Sequence, residues 1–190
     1  DGAHVMTMST YKSLGGPPAG LVVTNDPRLA RRIDAIAFPG LTANSDAGKT
    51  AALADTLNDW LAHGGVHAQL MVDAAQVLSG ALVDAGVPVH RPGGVGTESH
   101  AFAVEVESGE ATARHLRRRN LLTSAIGLPL GTDAGVRLGT NELVRWGAEP
   151  DDMTELAGLL VRALHNEPAA AVAADVSAFR GRFTQVAHVV

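Results

Sequence analysis

From Ala47 to Ala85 apolar residues recur at helical spacing, and only the pair Gly64-Gly65 interrupts them. Leu53, Leu57, Trp60 and Leu61 fall on one face of a helix running from Ala47 to about His63. Leu70, Val77, Leu78 and Leu82 share one face of another, from Val66 to Ala85, with Gly86 at the C-cap position. This helical block divides the chain into two regions of different texture. Before it come two short apolar runs, Ala3 to Met6 and Ala19 to Thr24, which read as buried strands joined by a glycine-rich turn. Asn25-Asp26-Pro27 then starts a helix through Leu29, Ile33 and Ile36 that stops near Phe38-Pro39-Gly40, ahead of a polar loop over 42–46.

After the block the pattern becomes that of a small α+β unit with antiparallel strands. Val87 to His90 is extended, Arg91 to Thr97 is a proline and glycine loop, and His100 to Val106 alternates as a strand does. A charged helix from Glu110 to Arg119, a strand from Leu121 to about Ala125, and the strand Val136-Arg137-Leu138 follow, with the glycine-rich stretch Gly127 to Gly135 read as a tightly turning loop. Asp151 to His165 is an amphipathic helix capped near Asp152, and alanine-rich Ala169 to Phe183 reads as a surface helix.

Composition narrows the classes of function. Acidic residues outnumber basic ones 20 to 15, so the chain lacks the positive field that nucleic acid or an anionic membrane would require. The basic run from Arg114 to Arg119 reads as the solvated face of a helix. Cysteine is absent, which excludes disulfides and thiolate chemistry. No apolar run approaches the roughly 20 residues of a membrane span. The default is a soluble cytoplasmic protein, and the opening Asp1-Gly2-Ala3-His4, which leads straight into a strand, reads as a cut from something longer.

Among residues able to carry chemistry, Lys12 stands first. It lies in Ser9-Thr10-Tyr11-Lys12-Ser13-Leu14-Gly15-Gly16 between the two early strands. An amine both desolvated and accessible there forms an imine with an aldehyde such as pyridoxal phosphate, with the neighbouring phenol of Tyr11 as a proton shuttle. The competing reading is a solvated charge at a strand end. Arg137, bracketed by Gly135 and Gly139 in an apolar strand, needs an anion: either a ligand carboxylate gripped by its planar fork or an internal Asp or Glu. The glycines over 127–139 match no phosphate-binding motif. His63 and His67 have helical i, i+4 spacing, but the glycine pair breaks the helix between them, and no metal site is read there.

Taken in order, four blocks resemble a serine hydroxymethyltransferase-like enzyme of the fold-type I pyridoxal phosphate superfamily, in its C-terminal half only. They are Thr7 to Gly20 around Lys12, the strand Leu21 to Asp26, Phe38-Pro39-Gly40, and Gly135-Val136-Arg137-Leu138-Gly139-Thr140. The resemblance implies an α/β fold: the end of the large-domain mixed sheet over 1–62, then a connecting helix and a small α+β domain over 63–190. It implies that Lys12 carries pyridoxal 5'-phosphate, that Tyr11 assists catalysis, that Ser9 and Thr10 touch the cofactor, and that Arg137 holds the α-carboxylate of an amino-acid substrate. Reversible Cα–Cβ cleavage of serine or an α-substituted serine is the implied reaction.

Departures from the family pattern qualify this. Tyr11 replaces a histidine, Pro18 an arginine, and Leu41-Thr42-Ala43-Asn44 a glycine-rich loop that normally approaches a neighbouring subunit's cofactor. They leave tetrahydrofolate dependence open and admit a folate-independent aldolase or transaldolase as the alternative. A homodimer with Asn44 serving the partner's cofactor, and an N-terminal half supplying the remaining cofactor contacts, complete the expectation. A non-catalytic remnant or interaction subunit is the rival of another class.

Overall fold

The computed structural model describes residues 2–91, 94, 96–129 and 132–187, so the loop read over 91–97 lies partly outside the described residues. The chain divides into two compact units, Asp1–His63 and Gly64–Val189. In the first, β1 (Met6–Ser9) and β2 (Gly20–Val23) pair antiparallel, with Ser9 opposite Gly20. Both strands were expected to be buried. Instead Met6 is 53% exposed and Val22 46%, because a hairpin of two strands has no second layer within this unit to close over it.

Helix α1 (Pro27–Ala35) begins as the sequence predicts. The Asp26 carboxylate accepts from the Arg28 backbone N–H at 2.7 Å, and proline occupies the first turn. That hydrogen bond is the main reason the Asp26 carboxyl lies below its ordinary pKa. A π-helical turn over Ile36–Leu41 follows and contains Pro39.

Helix α2 (Ala47–Asp84) is one continuous element where two were expected. A pair of interior glycines costs about 1 kcal/mol each relative to alanine, which does not break a helix supported by alanine and leucine on both sides and free of proline. The joined helix is long and apolar enough to cross a membrane by length and composition, contrary to the reading of the separate segments. Its most apolar window is 39% buried in the protein. Gly86, at φ +79°, ends the segment in the left-handed conformation expected of a C-cap.

The second unit holds a three-stranded antiparallel sheet in the order β3 (Ala101–Glu105), β5 (Thr132–Gly139), β4 (Ser124–Leu128). Much of the stretch read as a glycine loop is therefore strand. Gly135 explains the composition: a Cβ there would lie 2.9 Å from the Leu128 side chain and 3.1 Å from the Ile126 carbonyl. Phe102, Val104, Val136 and Leu138 share one buried face of the sheet.

Around the sheet pack the latter part of α2, α3 (Gly109–Arg117), α4 (Asn141–Arg145), α5 (Met153–Leu164) and α6 (Ala169–Arg180). Helix α6 is not a pure surface element, since Val172, Val176 and Phe179 are buried. The basic run is likewise divided. Arg117 and Arg118 are exposed, whereas Arg119 is buried and donates to the Glu167 carbonyl at 2.7 Å and the His115 carbonyl at 3.2 Å, satisfying groups near the C-terminal ends of α3 and α5.

Candidate functional site

The turn that carries Lys12 is built around a buried hydroxyl. Thr10 is fully buried; its Oγ1 donates toward the carbonyls of Pro17 and Ala19 and accepts from the Ala19 N–H at 3.2 Å. Its backbone N–H donates to Ala19 O at 3.0 Å, and its carbonyl accepts from Gly16 N–H at 2.7 Å. Gly15 N–H closes the loop on Lys12 O at 2.8 Å, with Gly15 at φ +72°, where a side chain would be strained. All these bonds converge on the backbone, so the Thr10 hydroxyl shapes the turn that carries Lys12.

Lys12 and Tyr11 both project outward. Tyr11 is 54% exposed, and the Lys12 Nζ lies 5.9 Å from the centre of its ring, within cation–π range. The desolvated amine of the sequence reading is thus not found: Lys12 is exposed, because the hairpin beneath it is uncovered. No ion pair engages the Lys12 amine among the described residues, so it is uncommitted and accessible, as attachment of an aldehyde cofactor requires. Ser9 is half-buried at the end of β1, and Asn44 is exposed in the segment before α2. These five residues all belong to Asp1–His63.

Arg137 belongs to Gly64–Val189. It sits at the middle of the sheet, opposite Ala103 on β3 and Ser124 on β4. Both neighbours are small, so the guanidinium remains exposed, and the expected cost of burying it does not arise. Nor does an internal salt bridge claim it: no carboxylate pairs with Arg137 among the described residues.

His100 lies close enough to respond to Arg137. Burial chiefly, and the Arg137 charge secondarily, hold the His100 imidazole below its ordinary pKa, so Arg137 is the cation here at neutral pH. Thr140, fully buried, fixes the end of the strand: its Oγ1 donates to Met71 O at 2.7 Å, and its N–H to His100 O at 3.0 Å.

Sequence reasoning gave Thr140 and Thr56 no role and placed Leu53, Leu57, Trp60 and Leu61 on one face of a helix; of these Leu61 is 87% exposed, while Thr56 is buried and the Trp60 indole bonds the backbone of the Lys12 turn. The i, i+4 spacing of Thr56 and Trp60 was the available signal, masked by the stronger apolar one. His63 and His67, now on one unbroken helix, still meet no third ligand: no group of three or more potential metal ligands occurs among the described residues.

No family model matches the chain. Individual relatives do. An α-methylserine aldolase of Variovorax paradoxus is 51% identical over all of this chain and 44% of its own length, and one from a Ralstonia species is 44% identical over 98% of the chain. A serine hydroxymethyltransferase of Korarchaeum cryptofilum is 35% identical over 99% of the chain and 46% of its own length. The L-threonine transaldolase of Pseudomonas fluorescens, solved in its internal aldimine state, superposes with a TM-score of 0.93 at 20% identity, over 99% of this chain and 45% of that one.

The class these likenesses define is the α/β fold of the C-terminal part of a fold-type I pyridoxal phosphate enzyme. More particularly, the chain resembles the serine hydroxymethyltransferase-like enzymes, α-methylserine aldolases among them, from end to end. It spans a little under half the length of the relatives it matches.

Proposed function

We propose that this chain contributes the cofactor lysine and the carboxylate clamp of a pyridoxal phosphate enzyme that makes and breaks the Cα–Cβ bond of serine or an α-substituted serine. The observation that carries the proposal is the exposed amine of Lys12, which no ion pair engages among the described residues, on a turn fixed by hydrogen bonds. The donor set fits the group: a primary amine for the aldehyde and an exposed guanidinium for a substrate carboxylate.

Bound pyridoxal phosphate supplies the electron sink that lets a Cα–Cβ bond break. The chain's own residues do the rest. Lys12 is the point of covalent attachment, with Ser9 at the edge of the cofactor. Tyr11 holds a proton beside the Lys12 amine for transfer during bond cleavage. Arg137 would hold the α-carboxylate of the substrate through its planar fork and so restrict how the substrate is oriented. Cleavage of a serine-type substrate releases the β-carbon as formaldehyde: the hydroxyl loses a proton and Cα gains one.

Higher identity to α-methylserine aldolases than to serine hydroxymethyltransferases favours the folate-independent reaction on an α-substituted serine over one-carbon transfer to tetrahydrofolate. The coverage of the relatives supports an N-terminal half that supplies further cofactor contacts, with residues 1–62 ending its large domain and 63–190 forming the small one. A homodimer in which Asn44 faces the partner's cofactor, and a cytoplasmic setting, belong to the same proposal.

The deciding experiment assays the complete protein with serine, α-methylserine and threonine, with and without tetrahydrofolate. Formaldehyde release from α-methylserine independent of folate is expected. Turnover of serine only in the presence of tetrahydrofolate would support the transferase instead, and absence of any visible cofactor absorbance would reject both.

A further inference from the structure

Resting on the reading of Lys12 as the attachment residue, we infer that Trp60 is its positioning residue: the indole of α2 clamps the Lys12 turn through Leu14 and thereby sets where the amine stands. The Trp60 Nε1–H donates to the Leu14 carbonyl at 2.7 Å across 46 residues of sequence. Leu14 lies inside the closed loop in which Gly15 N–H bonds Lys12 O, so fixing its carbonyl fixes the backbone under Lys12.

One helical turn earlier on α2, Thr56 packs beneath Gly16. A Cβ at Gly16 would stand 3.0 Å from Thr10 O, a tight approach within the turn itself, and 3.4 Å from the Thr56 hydroxyl, an ordinary contact that places the turn against the helix. The Thr56 hydroxyl itself donates to Ala52 O at 2.9 Å, which leaves it a packing surface. Trp60 makes the directional bond.

The rest of the unit offers the turn little other support from the helix side. No apolar side chain within Asp1–His63 is fully buried among the described residues; Leu14, Pro17, Leu53 and Trp60 are half-buried, so packing around the loop is partial. Among the described residues no carboxylate pairs with the Lys12 amine, and the Tyr11 ring lies beside it. Removing one strong bond under these conditions frees the loop to move, and reactivity that depends on position falls with it.

The chain carries its own internal standard, because its lysines are Lys12 and Lys49 alone. Lys49 sits on the exposed start of α2, paired with Asp46 at 3.5 Å. The test treats the full chain with pyridoxal 5'-phosphate, traps adducts with borohydride, and measures the Lys12 to Lys49 labelling ratio by peptide mass spectrometry. Amide hydrogen exchange of the cofactor-free chain is followed at Gly15 and Gly16.

Trp60→Phe, which keeps a ring and removes the donor, is expected to speed exchange at those two amides by about tenfold or more and to lower the labelling ratio about fivefold. Exchange in the core of Gly64–Val189 should not change. A general loss of structure would move both regions, whereas a positioning role moves the ratio at constant core exchange. Wild-type exchange and an unaltered ratio in Trp60→Phe would overturn the inference.

The indole N–H of Trp60 gives a reading in the unmutated protein. NMR should find its exchange slowed by about tenfold or more relative to a free indole, and a free-indole rate would also overturn the clamp. Loss of exchange protection in Trp60→Phe, with Lys12 no more reactive than Lys49 even in the wild type, would uphold Trp60's hold on the turn and defeat the reading of Lys12.

Discussion

In Gly64–Val189 the long helices turn apolar faces inward, and Leu82, Met153 and Val172 are withdrawn completely from water; in Asp1–His63 the buried side chains among the described residues are two threonines, Thr10 and Thr56. Both units contain ample apolar residues. The second organises them around a sheet it closes by itself. The first exposes Met6, Ile36, Phe38 and Leu41 and keeps its turn in shape by hydrogen bonds. Exposed apolar surface on that scale marks a face suited to further protein. The comparison teaches that the two candidate groups stand on different supports: the unit with a closed core carries the exposed guanidinium of Arg137, and the uncovered one carries the exposed amine of Lys12.

The largest effect that would break this division is at Lys12. Lys12→Ala in the complete protein is expected to abolish the visible absorbance of bound pyridoxal phosphate and to lower turnover by on the order of 10³-fold. The melting temperature of Gly64–Val189 should stay unchanged. A retained cofactor spectrum would remove the first unit from the chemistry.

Next in size is a paired test of packing. Leu82→Ala, in the closed core, is expected to destabilise the chain by about 2–5 kcal/mol, and Leu61→Ser, on the open face of α2, to change it by less than about 0.5 kcal/mol. Urea denaturation followed by circular dichroism measures both. Equal effects would show that the two units are packed alike.

Arg137→Lys sharpens the assignment of the carboxylate clamp. It keeps the charge and removes the bidentate fork, so KM for the amino-acid substrate should rise by about tenfold while kcat changes less. Because the side chain is exposed, urea stability should be unaffected. An unchanged KM would place the carboxylate elsewhere.

The smallest effect is that of His100. Its folded pKa is depressed, so its contribution to stability is fully present above the unfolded value of 6.5 and is lost as pH falls through the lower folded value. Denaturation midpoints between pH 7.5 and pH 5 should fall less steeply in His100→Gln than in the wild type. Superimposable profiles would mean that burial and the Arg137 charge do not act on this imidazole.

Much of this architecture was legible from local pattern. Asp26-Pro27 announces α1, Gly86 ends the segment after α2, and alternation from Ala101 to Glu105 marks β3, because each depends only on residues within a turn or a strand of one another. Candidate residues Lys12 and Arg137 were also visible as charged groups among glycine and apolar neighbours. Their surroundings were not. Lys12 was expected to be desolvated and Arg137 to be a burden on a buried strand, yet both are exposed, since burial depends on which layer covers a strand and no strand encodes its cover.

The sequence by itself determined the start of α1 and the left-handed glycine after α2, and it singled out Lys12 and Arg137 as candidates, all through near neighbours along the chain. Only the tertiary structure decided that Thr10 faces inward to the backbone and that Trp60 meets Leu14. Those outcomes turn on contacts between residues distant along the chain, whose energies local propensity does not contain.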